Sequence, residues 1–519
     1  MWLNYLVLAL YVIALIGIAI YTRRKVNSSD DFLLAGKKGV NGWMSAFSYG
    51  TTYFSAVIFI GYAGKFGWNF GLPAIWIGIG NALIGALLAW LVLAKRTKNI
   101  TTRLQAKTMP DLFEKRYGSP FLKKLSAIII FVLLVPYAAS VYNGLGALFS
   151  IMFGFDNTTV VIIALAALTA LYLIFGGYFA TSISDFFQGI IMIAGVVVMI
   201  IFFFRAPQVD GFTAFKQLTE EGYGIFAPYG DVGFLSSPAV SVISLVLLTS
   251  LGVYGLPQTV HKYYAVRDAK AVKQGMIVST IFAFIVGVAA YLIGSFGHLF
   301  FDSLAEVGGS ADNIVPYMLN EVIPQGFQGL IAVLVLSASM STLASVSLAA
   351  SSVLSVDFYK GTLNKDASDK SVTLIMRLFC GVFVAISVAV ALLNNFYNIA
   401  AIAYLMGLSW GTLSGCFFGP FVLGMYNKKI TKTAAISSVI GGIVLTLILI
   451  FVFGAIGVSQ AGGEATFGNI FKSGVSFSPL IGVICMIASC IIVIVVSLFT
   501  KPLDKEIVDA AFEPKETDI

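Results

Sequence analysis

Six hydroxyl side chains fall within eight positions, Ser48, Tyr49, Thr51, Thr52, Tyr53 and Ser55, in the middle of an otherwise apolar stretch. A second group reads Ala338-Ser339-Met340-Ser341-Thr342-Leu343-Ala344-Ser345-Val346-Ser347, again in apolar surroundings. Adjacent Ser341 and Thr342, with a backbone carbonyl three or four residues earlier, can bring two hydroxyl oxygens and one carbonyl oxygen to one point. Hard cations prefer such all-oxygen shells. An unwound turn in the first stretch would add carbonyls and complete a five-oxygen site of no formal charge. The same hydroxyls can instead bond back to their own helix carbonyls or join neighbouring helices, and spacing alone leaves both readings open. Asp185, within Ser182-Ile183-Ser184-Asp185-Phe186-Phe187-Gln188, is an acid inside an apolar run. A carboxylate there costs roughly 2.5 to 3.5 kcal/mol in hydrocarbon, so it marks a functional site, a helix cap, or a salt bridge to a cytoplasmic Lys or Arg. In Thr249-Ser250-Leu251-Gly252-Val253-Tyr254-Gly255-Leu256-Pro257, two glycines and a proline weaken a helix interior.

The elements that must position these groups are membrane helices. Of 519 residues, 58% are hydrophobic and 11% charged, and the mean hydropathy is +0.93, far from a water-soluble composition. Apolar stretches long enough to cross a hydrocarbon core recur along the chain, without β-barrel alternation. Thirteen spans are expected, near 3-22, 42-64, 71-94, 125-153, 158-176, 181-204, 237-256, 274-300, 327-355, 374-394, 397-424, 434-456 and 477-499. The first has no basic region before it and no cleavage site after it, and reads as a retained helix. With the N-terminus outside, cytoplasmic loops hold 28 of the 32 Lys and Arg, which is the positive-inside asymmetry. The C-terminal tail, 500-519, is then cytoplasmic and too short for a signalling domain. Asp210, Glu220, Glu221, Asp231, Asp302, Glu306 and Asp312 fall in two external loops expected to carry short surface helices.

Competing chemistry finds little support. Cys380, Cys416, Cys485 and Cys490 lie in apolar stretches without metal-ligand or disulfide spacing, and His261 and His298 stand in different segments. No nucleophile or paired-acid constellation lies at a membrane face. A plain anchor needs only apolar residues, whereas a transporter places polar groups and free carbonyls at the midplane on interrupted helices. The second and seventh spans do so five spans apart, the spacing of a five-plus-five inverted repeat.

These residues resemble the sodium/solute symporters, whose members carry proline, pantothenate, sialic acid, iodide, galactose and glucose. The pieces are Asp30-Asp31-Phe32 with Ala35-Gly36, Phe175-Gly176-Gly177 followed by Asp185 and Gln188, Ser341-Thr342 with Asp357-Phe358-Tyr359-Lys360, and Gly419-Pro420 leading into Lys428-Lys429-Ile430-Thr431. Tyr178 and Ala434 depart from the usual pattern. The resemblance implies an all-α, leucine-transporter-like fold, with a first repeat at 42-204, a second at 237-424, and peripheral helices at 3-22 and 434-499. It implies a sodium site built from the carbonyls of Thr51, Phe54 and Ala338 and the hydroxyls of Ser341 and Thr342. A second sodium site would map to Asp185, Ser345 and Ser341, although Ala344 stands where one hydroxyl is expected, which favours one sodium per cycle.

The solute should then bind between the interrupted helices, lined by Tyr53, Ser55 and Ile58, Tyr137 and Asn143, Thr249, Ser250, Val253 and Tyr254, and Tyr404, Ser409 and Trp410. Plain aromatic packing is the alternative for each Tyr and Trp. Proline carriers have an aromatic pair where Thr249 and Val253 stand and an Asp at Tyr53, and the galactose carrier has a Gln at Ile58; neither pattern recurs. Sialic acid carriers clamp a carboxylate with an Arg on the fourth span, and no basic residue lies between Lys124 and Arg205 here. The expectation is sodium-coupled uptake of a small organic solute of little or no charge, by alternating access, in the inner membrane. The protein should act as a monomer without organic cofactor or nucleic acid; a passive facilitator or channel is the alternative.

Overall fold

The computed structural model describes residues 2–23, 33, 40–226, 237–397, 399–515 and 518–519. Arg24, Lys25, the Asp30-Asp31-Phe32 and Ala35-Gly36 pieces and Asp231 lie outside the described residues, as do the side chains of 174–177. The described residues are mostly helical, and a parallel bridge between Val40 and Val266 is the sole β pairing among them. Large apolar side chains such as Leu83, Ile163, Leu378, Leu447 and Ile491 point outward, which suits lipid rather than water as the surrounding solvent.

The helices that carry the site are α1 (Trp2–Arg23), α2 (Gly42–Tyr53), α3 (Ala63–Phe70), α4 (Pro120–Phe153), α5 (Thr158–Arg205), α6 (Pro238–Leu251), α7 (Pro257–Tyr264), α8 (Gln325–Ser352), α9 (Ile402–Phe418) and α10 (Lys505–Phe512). The apolar window of the segment containing α8 is 94% buried, against 22% in α1 and 28% in Lys432–Gln460. So α8 forms the centre, and the first and a late helix lie at the rim. The loops expected to lie outside carry short helices, Thr213–Glu220 among them.

Among the described residues eleven segments are long and apolar enough to span a bilayer, and they coincide with all the expected spans except the second and the fifth. The second expected span is divided into α2 and α3 by a break, so neither piece is long enough alone. The fifth and sixth expected spans lie in one helical run, α5, of 48 residues. The loop expected at 177–180 is absent because Gly176 and Gly177 cost a helix only about 1 kcal/mol each, and no proline there removes a backbone donor.

At the first break, Phe54 takes an extended conformation (φ −109°, ψ 120°), and a π-helical turn, Val57–Tyr62, restarts the helix. Freed backbone groups in a membrane must find protein partners. The Ala56 N–H donates to Ser339 Oγ at 3.0 Å and the Val57 N–H to Ser55 Oγ at 3.2 Å. At the second break, Gly252–Gly255 tightens into a 3₁₀ turn before Leu256 and Pro257. A Cβ on Gly255 would sit 3.1 Å from Ser414 Cα and 3.2 Å from the Phe418 nitrogen, so glycine lets this turn press against α9. Tyr53 Oη donates to the Thr249 carbonyl at 2.6 Å, joining the two interrupted helices.

At the other end of the molecule, α10 docks on the segments 95–104 and 109–117. The Phe512 ring lies 5.2 Å from the Arg96 guanidinium and 4.8 Å from that of Arg116, and Asp518 pairs with Arg103.

Candidate functional site

Three structures converge at the breaks. In the first, Thr342 Oγ1 lies 3.1 Å from the Ala338 carbonyl, 3.3 Å from that of Thr51 and 3.2 Å from that of Thr52. Ser341 Oγ is 3.3 Å from the same Ala338 oxygen, and Phe54 is the residue at which α2 ends. The group is fully buried. It bridges α8 to the last turn of α2, whose carbonyls have no following helical turn to accept from. A hard cation bonded to oxygen at about 2.4 Å holds neighbouring ligand oxygens about 3.4 Å apart, so these oxygens stand near ligand spacing already. The Thr52 carbonyl is an additional neighbour that the spacing of residues did not single out.

The second cluster lies one turn further along the same two helices. Ser48 Oγ donates to Asp185 Oδ2 at 2.5 Å, and Thr52 Oγ1 and Ser345 Oγ are 2.8 Å apart. Into this group reaches Lys262 Nζ, donating to Ser48 Oγ at 2.8 Å and Ser345 Oγ at 2.9 Å and lying 3.7 Å from Asp185 Oδ2. Lys262 is 2% exposed. Its ammonium also lies 5.1 Å from the Tyr178 ring centre, a favourable cation–π position. Of the three readings of Asp185, the helix cap does not hold, since α5 begins at Thr158 and is capped by Asn157. An ion pair does form, with a lysine that charge counting had assigned to a loop.

The third structure is the packed group of side chains between the breaks. The Trp410 ring stacks on Tyr53 with centres 6.1 Å apart and meets Tyr137 edge-on at 5.5 Å. Asn143 sits on α4 next to Gly144, where a Cβ would lie 3.2 Å from that of Ala56, so this turn of α4 faces the first break together with Ser55. Across it, Thr249 Oγ1 and Ser250 Oγ donate to Asn81 Oδ1 at 2.7 and 3.2 Å, and Tyr254 Oη donates to the Ile84 carbonyl at 2.8 Å. Ile58 and Val253 are buried in the two turns. Ser409 Oγ is turned away, donating to the Leu133 carbonyl at 2.5 Å. Tyr404 lies apart: it packs against Phe66 at 6.1 Å and lines a cavity of about 450 Å³ with Lys65, Asp312 and Lys472.

Tyr137 Oη, Trp410 Nε1, both polar atoms of the Asn143 amide and Asn81 Nδ2 are buried without a hydrogen-bond partner. Each such atom costs about 1 to 3 kcal/mol unless something satisfies it, and a polar solute between the breaks can do so. Asn81 escaped notice in the sequence because one amide scarcely lowers the hydropathy of the run around it.

Two interrupted helices that meet at a buried oxygen cluster are the architecture of a secondary transporter. The fold agrees with solved structures: the substrate-bound outward-open state of a Na+-coupled sialic acid symporter superposes with a TM-score of 0.74 over 97% of this chain and 99% of that one, at 19% identity. Mhp1, a nucleobase-cation-symport-1 family transporter in a closed conformation with bromovinylhydantoin bound, gives a TM-score of 0.51 over 94% and 99%, at 14% identity. The sodium:solute symporter family model matches residues 32–442, and the chain belongs to that family. Among its relatives, the osmoregulated proline transporter OpuE of Bacillus subtilis (strain 168) is 29% identical over 85% of this chain and 88% of its own length. The high-affinity proline transporter PutP of the same organism is 28% identical over 83% and 89%. The protein is thus a multi-pass membrane transporter that couples solute movement to sodium by alternating access.

Proposed function

We propose that one sodium ion binds the carbonyls of Thr51, Phe54 and Ala338 and the hydroxyls of Ser341 and Thr342, and that its binding couples uptake of a small zwitterionic, amino-acid-like solute. The observation that carries this is Thr342 Oγ1, 3.1 to 3.3 Å from carbonyls of two helices, one of them ending there. Separation of α8 from α2 divides the ligand set between two bodies, so the ion's affinity depends on the conformation, which is the requirement for coupling.

The solute lies between the breaks, against Tyr53, Ser55, Tyr137, Asn143, Trp410 and the turn from Thr249 to Tyr254. No fixed charge lines this space, and its unsatisfied groups are mainly donors. The sodium ion supplies the positive charge that a carboxylate needs, and the donors orient it. Relatives that carry proline support an amino acid of about that size; Tyr53, Thr249 and Val253 make a differently shaped wall, so proline is the first solute to test rather than the sole one. The repeats run over 42-204 and 237-424, with peripheral helices at 3-22 and 434-499. The protein works as a monomer in the inner membrane, needs no organic cofactor, and has its N-terminus outside and its C-terminal tail cytoplasmic. The test is thermal stability of the purified protein against amino acids, monocarboxylates, sugars and vitamins, with sodium or potassium. A shift by an amino acid in sodium alone supports the reading; a hit that ignores the cation removes it.

A further inference from the structure

We propose that the Lys262 ammonium is a built-in cation that permanently fills a second cation site, leaving room for one sodium ion per chain. This rests on the sodium reading above. The ammonium is surrounded by the groups that a free cation would seek: Ser48 Oγ at 2.8 Å, Ser345 Oγ at 2.9 Å and Asp185 Oδ2 at 3.7 Å, with Thr52 Oγ1 2.8 Å from Ser345 Oγ. Asp185 and Lys262 together are neutral, so an added sodium would leave a buried net positive charge. The oxygens are also committed. Ser48 gives its proton to Asp185 and accepts from Lys262, and Ser345 accepts from Lys262. Ala344, the buried neighbour of Ser345 in the chain, has no side-chain oxygen to add.

Position makes this site a companion of the first. Ser48 and Ser345 lie three residues from Thr51 and Thr342, so the two clusters stack about 4.5 Å apart along one helix pair. Lys262 comes from neither helix but from α7, the half-helix beyond the second break. A free ion there would leave with the solute, whereas a tethered ammonium moves with α7 and returns. The Tyr178 ring at 5.1 Å suits an ammonium carried on a chain. Lys262 therefore ties together α2 and α8, the two helices that must part, and it keeps Asp185 on α5 paired without a second sodium.

The experiment is equilibrium binding of ²²Na⁺ to purified full-length protein in detergent, counted per chain, which needs no solute. Expected are one ion for the wild type with a Hill coefficient near 1, two ions for Lys262→Met with a coefficient rising toward 2, and one ion for the double variant Lys262→Met/Asp185→Asn. Two ions on the wild type overturn the proposal outright, as does one ion on a monodisperse Lys262→Met. If that variant does not fold, Lys262→Gln carries the same expectations, and the wild-type count decides by itself against a second free site. A wild type that binds no sodium removes the sodium reading itself, which is a different outcome from binding two.

Discussion

Thr342→Val removes the oxygen nearest the centre of the cluster while keeping a branched side chain of similar size. In the structure that oxygen lies within 3.1 to 3.3 Å of three carbonyls. With sodium present it becomes one of five neutral ligands. An interaction between a neutral group and a charge is worth about 1.5 to 3 kcal/mol, and each 1.4 kcal/mol is tenfold, so half-saturating sodium should rise roughly 10- to 150-fold. Without sodium the hydroxyl makes only ordinary hydrogen bonds, worth about 0.5 to 1.5 kcal/mol, so the protein should still fold. Initial uptake rates in proteoliposomes across a sodium series give the number directly. Thr342→Ser, which restores the oxygen, should recover to within a few-fold. Unchanged sodium dependence in a monodisperse Val variant refutes the site, because the ligand would be gone and the coupling intact.

Trp410→Phe keeps the stack on Tyr53 but deletes the unsatisfied Nε1 donor; loss of one neutral hydrogen bond should raise half-saturating solute about 2- to 12-fold, with sodium activation unchanged at saturating solute. Gly255→Val places a Cβ 3.1 Å from Ser414 Cα, and since that is backbone, overpacking of about 1 to 3 kcal/mol should lower thermal stability. Burial raises the Asp312 carboxyl, outside the spans, from 3.8 to about 6, opposed by the Ile402 N–H and the Lys65 charge. The folded state therefore binds the proton more tightly than the unfolded one, and stability contributed by this group falls as pH rises from about 4 to 6. Asp312→Asn should flatten that slope in a melting-temperature series, and a slope equal to the wild type's would exclude Asp312 as its source.

The apolar runs were legible because length and the scarcity of charge are linear properties of a sequence. The second break was equally legible, in Gly252, Gly255 and Pro257, which cannot sustain a helix. The first break was visible only as an excess of hydroxyls: nothing in Tyr53-Phe54-Ser55 forbids helix, and beside the local Ser55 bond the open turn is held by Ser339 and Thr342, almost 300 positions away. Lys262 misled for a related reason. Twelve residues past Ser250 and near other basic residues, it reads as loop charge, and only the return of α7 between α2 and α8 puts its ammonium on Asp185. Ser409 and Tyr404 show the converse limit, since residue type and span placed them at the midplane while the roll of α9 turned one into α4 and left the other by the Lys65 cavity.

Sodium-driven accumulation tests the central claim most directly. One positive charge moving through about 150 mV releases roughly 3.5 kcal/mol, and a tenfold sodium gradient adds about 1.4 kcal/mol, enough for accumulation of three to four decades. Purified protein in liposomes with inward sodium and an inside-negative potential should concentrate radiolabelled proline, or the amino acid identified by thermal shift, far above equilibrium, and lose the excess when the sodium gradient is collapsed. Uptake that only reaches the outside concentration, at the same rate in sodium and in potassium, would contradict coupling and leave a passive pathway.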